Sequence, residues 1–258
     1  MLYLLSFIFG SAIGSFVNVI VTRLGVSSIV KGRSKCLHCG KVLSWKELFP
    51  VLSYLLLKGK CKDCGAKYGV DHLVVEIIFG LIFILVYHYI LQGQIDMTHQ
   101  VLWLVYYTLF FITLGTVALY DLKHKVIPIN YFLGFFALTI IELFLRYQSE
   151  GSLTVLWSPL IVAFPFLLLF LISRGKWLGF GDVLMLIAVG AFFEVLQGLT
   201  VFFFSVWIGA IVGIIMKVID KKVKMKTEIP FIPFIAISII LVLFLDIDIF
   251  SFIRQITV

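Results

Sequence analysis

Long apolar runs with almost no charge constrain this chain more than any other feature. The first extends from Leu2 to Val21, and the later runs are of similar length, close to the roughly 20 residues that a helix needs to cross a bilayer. Of the 258 residues, 62% are hydrophobic and 14% are charged, whereas a soluble protein carries about 25% charge. Because the runs are continuous rather than alternating, they favour helices over barrel strands. The sequence therefore predicts an all-α, polytopic membrane protein.

Dividing the runs at charged residues and turns predicts about eight transmembrane helices. They lie near residues 2–22, 73–91, 101–120, 129–145, 157–173, 183–198, 200–216 and 231–249. We expect a short turn around Glu194 to Gly198 to separate the sixth span from the seventh. Two parts are predicted: residues 1–91, with the first two spans and a loop at about 31–70, and residues 92–258, with about six spans.

The distribution of lysine and arginine predicts the orientation of these spans. Of the 21 basic residues, 19 follow odd-numbered spans, and only Arg146 and Arg254 fall on the other side. Such an asymmetry places the basic loops in the cytoplasm. Attraction of this face to anionic membrane lipid accounts for the net charge of +7. Since no nucleic-acid-binding motif accompanies the lysines, we expect no nucleic acid partner.

All four cysteines fall in the loop at about residues 31–70, as two Cys-x-x-Cys pairs: Cys36 with Cys39, and Cys61 with Cys64. Two such pairs can place four thiolates around Zn²⁺, and the 21 residues between them slightly exceed the usual spacing of about 15–20. Four sulfur ligands leave no open coordination position, so we expect a structural zinc. A redox pair or unligated thiols are the alternatives, and His38 could replace one cysteine as a ligand.

Two aspartates lie where apolar runs end: Asp121, and Asp182 within Gly179-Phe180-Gly181-Asp182. A carboxylate at a membrane boundary is costly unless it is paired, hydrated or functional. Two carboxyl groups that share a proton can split a peptide bond with water, so the pair predicts a protease site at the cytoplasmic face. The alternatives are a solvated loop carboxylate for Asp121 and a helix N-cap for Asp182.

Further motifs occur in order along nearly the whole chain. They are Gly14-Ser15-Phe16-Val17-Asn18-Val19-Ile20 with Arg23, Leu48-Phe49-Pro50-Val51-Leu52-Ser53-Tyr54, Glu76, Asp121-Leu122-Lys123-His124-Lys125-Val126-Ile127-Pro128 and Ile229-Pro230-Phe231-Ile232-Pro233-Phe234. Together with the cysteine pairs and Gly-Phe-Gly-Asp, they resemble the prepilin peptidases, also called prepilin leader peptidase/N-methyltransferases.

The resemblance implies an enzyme of the bacterial inner membrane. It would cleave the leader of type IV prepilins or pseudopilins after a Gly, with Asp121 and Asp182 as the catalytic residues on the cytoplasmic side. It would then methylate the new N-terminal amine, with S-adenosylmethionine as the methyl donor. Asn18 and Glu76 are the candidates for methyl transfer or amine binding, although each could merely satisfy neighbouring helices.

Three alternatives remain open from the sequence. Asp71-His72-Leu73 stands where the family usually has Arg-Tyr-Pro, which leaves a peptidase without methyl transfer as the first alternative. A transporter would use the two aspartates in a proton path, but such proteins usually show repeated halves and acids near mid-membrane. A zinc-containing membrane assembly factor would leave the aspartates unexplained. The sequence distinguishes neither the particular prepilin nor an oligomeric state.

Overall fold

The computed structural model describes residues 1–26, 28–29, 32–36, 38–93, 96–176, 179–219 and 229–247, and most of these residues are helical. The α-helices are α1 (Leu2–Arg23), α2 (Leu52–Leu56), α3 (Val70–Gln92), α4 (Met97–His124), α5 (Ile129–Glu150), α6 (Ser158–Ser173), α7 (Phe180–Phe192), α8 (Val195–Ile219) and α9 (Ile232–Leu245). Short 3₁₀ helices occupy Trp45–Glu47 and Leu153–Trp157. The all-α prediction is confirmed.

Six helical segments are long and apolar enough to cross a bilayer: α1, α3, α4, α5, α8 and the continuous stretch Leu153–Ser173. The polytopic prediction is therefore confirmed. Helices α7 and α9 are equally apolar but have only 13 and 14 residues, about 20 Å against a hydrocarbon core of about 30 Å. The count of eight spans stays a prediction. Several basic residues used for the orientation lie outside the described residues: Lys31, Lys221, Lys222, Lys224, Lys226 and Arg254.

The predicted boundary between the sixth and seventh spans is wrong by several residues. Helix α7 ends at Phe192 and α8 begins at Val195. The turn expected around Glu194 to Gly198 is thus shorter and earlier, and Gly198 lies inside α8. Hydropathy alone could not place the break, because both sides of it are equally apolar.

The end of α7 is held instead by polar side chains from other helices. Arg146 on α5 donates from Nη2 to the carbonyl oxygen of Ala191 at 2.8 Å. The hydroxyl of Ser158, the first residue of α6, donates to the carbonyl oxygen of Phe193 at 2.9 Å. These donors satisfy carbonyls that the last turn of a helix leaves without partners, so the helix can stop inside the apolar region.

The chain divides into two compact units, Met1–Ile112 and Thr113–Val258. The division after residue 91 that the sequence suggests remains a prediction. In the second unit α7 packs against α5, α6, α8 and α9, and eight of its 13 residues are buried. The helix that begins with Phe-Gly-Asp therefore lies at the centre of its unit.

In the first unit, glycines bring α1 and α3 into close contact. A Cβ atom on Gly10 would lie 2.5 Å from the carbonyl oxygen of Phe79, and one on Gly14 would lie 2.9 Å from that of Val75. The spacing of the two glycines forms a Gly-x-x-x-Gly pattern, which lets two membrane helices approach closely. This pattern is visible in the sequence, although the predictions made from the sequence do not use it.

Gly10→Ala should destabilise the protein, because the added methyl group meets backbone and has no space to enter. We expect a loss of about 1–3 kcal/mol, measured as a lower midpoint of thermal unfolding of the full chain in detergent. Gly134→Ala is the matched control, since its methyl group would meet Thr113 Cγ2 at 3.4 Å. Equal midpoints for the two variants would contradict the close packing of α1 on α3.

Candidate functional site

Asp121 lies in the last turn of α4 and is only 7% exposed. Its Oδ2 accepts a hydrogen bond from the backbone N–H of Ile232, the first residue of α9, at 3.3 Å. A helix N-terminus has N–H groups without partners and a partial positive charge, both of which favour a carboxylate. The burial excludes the alternative of a solvated loop carboxylate for Asp121.

Asp182 lies at the beginning of a helix, α7. The N-cap of α7 is Gly179, and Asp182 is the third helical residue. Its Oδ2 accepts a hydrogen bond from the N–H of Gly179 at 3.2 Å, the backward contact that an acidic residue makes at this position of a capping box. The N-cap alternative is therefore wrong by three residues, although the carboxylate does stabilise this end of the helix.

The structure brings the two aspartates into one region of the second unit. The side chain of Ile127 occupies the space that a Cβ atom on Gly181 would need. The segment that follows Asp121 therefore contacts the Gly-Phe-Gly-Asp motif. Asp121 is also hydrogen-bonded to the first residue of α9, and α9 packs against α7, the helix that carries Asp182. Two carboxyl groups that lie close enough to repel each other favour a state that holds one proton between them, which would supply an acid and a base together.

The four cysteines also come together, and within the described residues they form the cluster best suited to a metal ion. Their sulfur atoms all lie within 4.8 Å of one another, and the Sγ atoms of Cys36 and Cys64 are 3.8 Å apart. A tetrahedral site with Zn–S bonds of about 2.3 Å requires sulfur–sulfur distances of about 3.8 Å. The four cysteines are free thiols, so their geometry fits a tetrahedral metal ion.

The two cysteine pairs are held by equivalent turns. Gly40 donates its N–H to the carbonyl oxygen of Cys36 at 2.9 Å, and Gly65 donates to that of Cys61 at 3.0 Å. Both glycines have positive φ, +71° and +69°, a conformation that side chains disfavour. An isolated antiparallel bridge closes each turn, Lys35 with Val42 and Lys60 with Lys67.

Backbone N–H groups in these turns favour the thiolate forms of Cys36 and Cys61. Hydrogen bonds from the backbone of Cys64 and Asp63 lower the pKa of the Cys61 thiol to about 6. The backbone of Cys39 likewise lowers the pKa of Cys36. Since the thiolate is the form that binds metal, the turns favour the ligating state of Cys36 and Cys61.

Asn18 and Glu76 belong to the first unit, whereas the aspartates belong to the second. Asn18 is 4% exposed and donates from Nδ2 to the carbonyl oxygen of His72 at 3.5 Å. Glu76 accepts the N–H of Val51 on Oε2 at 2.8 Å. Asn18 thus joins α1 to α3, and Glu76 joins α3 to the segment between the cysteine pairs.

Glu76 holds a strained turn that the sequence does not reveal. Val51 has φ +62° and ψ −54°, and Leu52 donates its N–H to the carbonyl oxygen of Pro50 at 2.6 Å. This is a γ-turn with positive φ, a conformation rare for a β-branched residue. Valine favours extended backbone, so no local signal predicts the turn or its contact with a residue 25 positions later.

Two family models match the chain. Residues 8–90 match the bacterial peptidase A24 N-terminal domain, and residues 108–214 match the type IV leader peptidase family. The first region contains Asn18, the four cysteines and Glu76, and the second contains both aspartates.

Several curated relatives are similar over most of the chain. A prepilin leader peptidase/N-methyltransferase of Bacillus subtilis is 30% identical, with 95% of each chain covered. The chain belongs to the prepilin leader peptidase/N-methyltransferase family. Relatives with the same name from Myxococcus xanthus (29% identical, covering 86% of this chain and 65% of theirs) and Dichelobacter nodosus (28%, covering 90% and 87%) agree. No solved structure is significantly similar to the chain.

Proposed function

We propose that this chain is a membrane aspartic endopeptidase that removes the leader of type IV prepilins or pseudopilins and then methylates the new N-terminus. One observation carries the proposal: Asp121 and Asp182, each of which accepts a hydrogen bond from a backbone N–H at the start of a helix, lie in the same region of the second unit. The names of the relatives supply the class of substrate and the second activity.

In this mechanism one aspartate is ionised and removes a proton from the attacking water. The other is protonated and donates a hydrogen bond to the scissile carbonyl, where negative charge develops. The shared proton belongs to the pair rather than to one residue. The N–H of Ile232 helps to hold Asp121 in place, and the missing side chain of Gly181 lets Ile127, six residues after Asp121, pack directly beside Asp182.

We place this site at the cytoplasmic face of the bacterial inner membrane. The support is the charge distribution: 19 of the 21 lysine and arginine residues fall on the side where both aspartates lie. A leader processed there would meet the enzyme before the apolar helix of the prepilin leaves the membrane.

Cys36, Cys39, Cys61 and Cys64 would hold a structural zinc ion. When bound, the ion would cross-link the two turns and contribute folding free energy to a loop that contains little regular structure. A site with four sulfur ligands has no open position for water, so hydrolysis is assigned to the aspartates.

Methyl transfer is assigned to the first unit, with S-adenosylmethionine as the methyl donor when bound. Glu76 is half-buried at the membrane boundary, where its negative charge suits the ammonium group that cleavage creates. Asn18 lies against His72, within the stretch Asp71-His72-Leu73. Because that stretch carries the departure from the family pattern, a peptidase without methyl transfer is the second candidate.

Asp121→Asn and Asp182→Asn should each abolish cleavage of a synthetic prepilin by purified, folded protein. An amide cannot share the proton, so a loss of about 10³-fold or more is expected. Asp246→Asn is the control, because Asp246 ends α9 in the left-handed region that asparagine tolerates. Near-normal cleavage by Asp121→Asn or Asp182→Asn would contradict the assignment of these two residues as the catalytic pair.

Purified protein should contain about one zinc ion per chain, and Cys39→Ser should lose it. His38→Ala should retain the metal, which separates a four-cysteine site from one with a histidine ligand. Elemental analysis gives the metal content, and limited proteolysis reports whether the loop opens. Metal-free wild-type protein with a protected loop would contradict the zinc assignment.

Glu76→Gln should spare cleavage but impair methylation, because the amide keeps an oxygen for the N–H of Val51 and loses the charge. Asp182→Asn should still methylate a pre-cleaved peptide supplied with S-adenosylmethionine. Glu150→Gln, at the end of α5, is the matched control. Mass spectrometry decides the outcome: complete cleavage by the wild type without any added methyl mass would leave a peptidase alone.

A further inference from the structure

The segment between the two cysteine pairs exposes apolar side chains that a loop in water would not favour. Leu56 is 80% exposed and Trp45 is 72% exposed. Four more apolar residues of this segment are exposed: Leu48, Phe49, Leu52 and Leu55. A cluster of this kind marks an interaction surface rather than scattered surface residues. We call residues 45–56 the apolar segment.

The contact between Glu76 and Val51 sets the depth of this segment relative to the membrane. Glu76 is the seventh residue of α3, about 9 Å along the helix axis from Val70. Side chains on a helix lean toward its N-terminus, so the 2.8 Å hydrogen bond to Val51 lies between the levels of His72 and Glu76. The apolar run of α3 begins at this level, with Leu73. The apolar segment is therefore held at the membrane boundary.

Positive charge surrounds the same segment. Lys46 lies within it, and Lys58, Lys60 and Lys62 follow it; all four are exposed. Exposed leucines and a tryptophan beside lysines form the pattern of an element that lies in the interface of a bilayer. Lysines at such a surface attract anionic lipid headgroups.

A cavity of about 430 Å³ opens beside Leu56. Three lysines, two serines and one carboxylate contribute to its lining: Lys41, Lys46, Lys62, Ser44, Ser53 and Glu47. Glu47 accepts hydrogen bonds from the backbone and side chain of Ser44 and lies 3.7 Å from Lys41, which also pairs with Asp63. The lysines outnumber the single carboxylate in the lining, so the cavity is suited to an anion.

We propose that the apolar segment is an interfacial membrane anchor with a binding site for an anionic phospholipid. Trp45, Leu52, Leu55 and Leu56 enter the leaflet at which the loop emerges, and the phosphate of a lipid headgroup lies in the cavity between Lys46 and Lys62. Glu76 fixes the segment at this depth through Val51. This role is separate from cleavage and methylation, neither of which it requires.

Photo-crosslinking of the full chain in nanodiscs tests this proposal. Leu56→p-benzoylphenylalanine is compared with His38→p-benzoylphenylalanine, at an exposed position inside the first cysteine turn. With phosphatidylglycerol, irradiation should give at least tenfold more lipid adduct at position 56 than at position 38, counted by mass spectrometry. Both substitutions are at exposed residues, and zinc content and thermal midpoint confirm folding. Equal lipid adduct at the two positions would overturn the proposal.

Two further arms separate the lipid from other occupants. Lys46→Gln with Lys62→Gln should lower the adduct at position 56 at least threefold, whereas Lys176→Gln should leave it unchanged. Replacing phosphatidylglycerol by phosphatidylcholine should lower it similarly. If a synthetic prepilin added to the nanodiscs takes the crosslink in place of lipid, or if the crosslink joins position 56 to the protein itself, the segment docks on protein and the proposal is wrong.

Discussion

A single hydrogen bond, from the first N–H of α9 to Asp121, supports the site of the second unit. It joins residues 111 positions apart and places a buried carboxylate where a helix supplies both a donor and partial positive charge. Asp182 uses the same physics within its own helix, through Gly179. Among the described residues, neither carboxyl group forms a salt bridge with a lysine or arginine. Such a bridge would hold the carboxylate ionised and would oppose the proton exchange that the proposed mechanism requires. The N–H groups at the starts of α9 and α7 thus take the place of positively charged counter-ions.

The sequence predicts the parts of this protein that depend on local composition. Apolar runs locate the helices, the cysteine spacing predicts the four-sulfur cluster, and the ends of runs indicate Asp121 and Asp182 as candidates. Side-chain contacts to distant backbone are invisible to such reasoning. The bonds of Arg146 to Ala191 and of Glu76 to Val51 decide where α7 ends and how the loop lies, and neither leaves a periodic signal. The early end of α7 and the strained turn at Val51 therefore emerge only from the structure.

The two cysteine turns show how a small loop reaches one geometry with little hydrophobic core. Each turn repeats the same hydrogen bond, the same positive φ at glycine and the same bridge. Two copies of one local conformation place four sulfurs with few additional contacts. Only four residues separate the end of α2 at Leu56 from Cys61 of the second turn. Fixing the four sulfur atoms therefore also restricts the position of the neighbouring apolar segment.

The shortness of α7 has a mechanical consequence. Its 13 residues form a rod of about 20 Å, with Asp182 near one end and the donors Arg146 and Ser158 at the other. Because these two hydrogen bonds fix one end of a short, continuous helix, a shift at that end moves the whole helix. The position of the Asp182 carboxylate near one end of α7 is then set partly by Arg146 at the other end. In the proposed mechanism, residues remote from the scissile bond can therefore tune the alignment of the two aspartates without touching substrate.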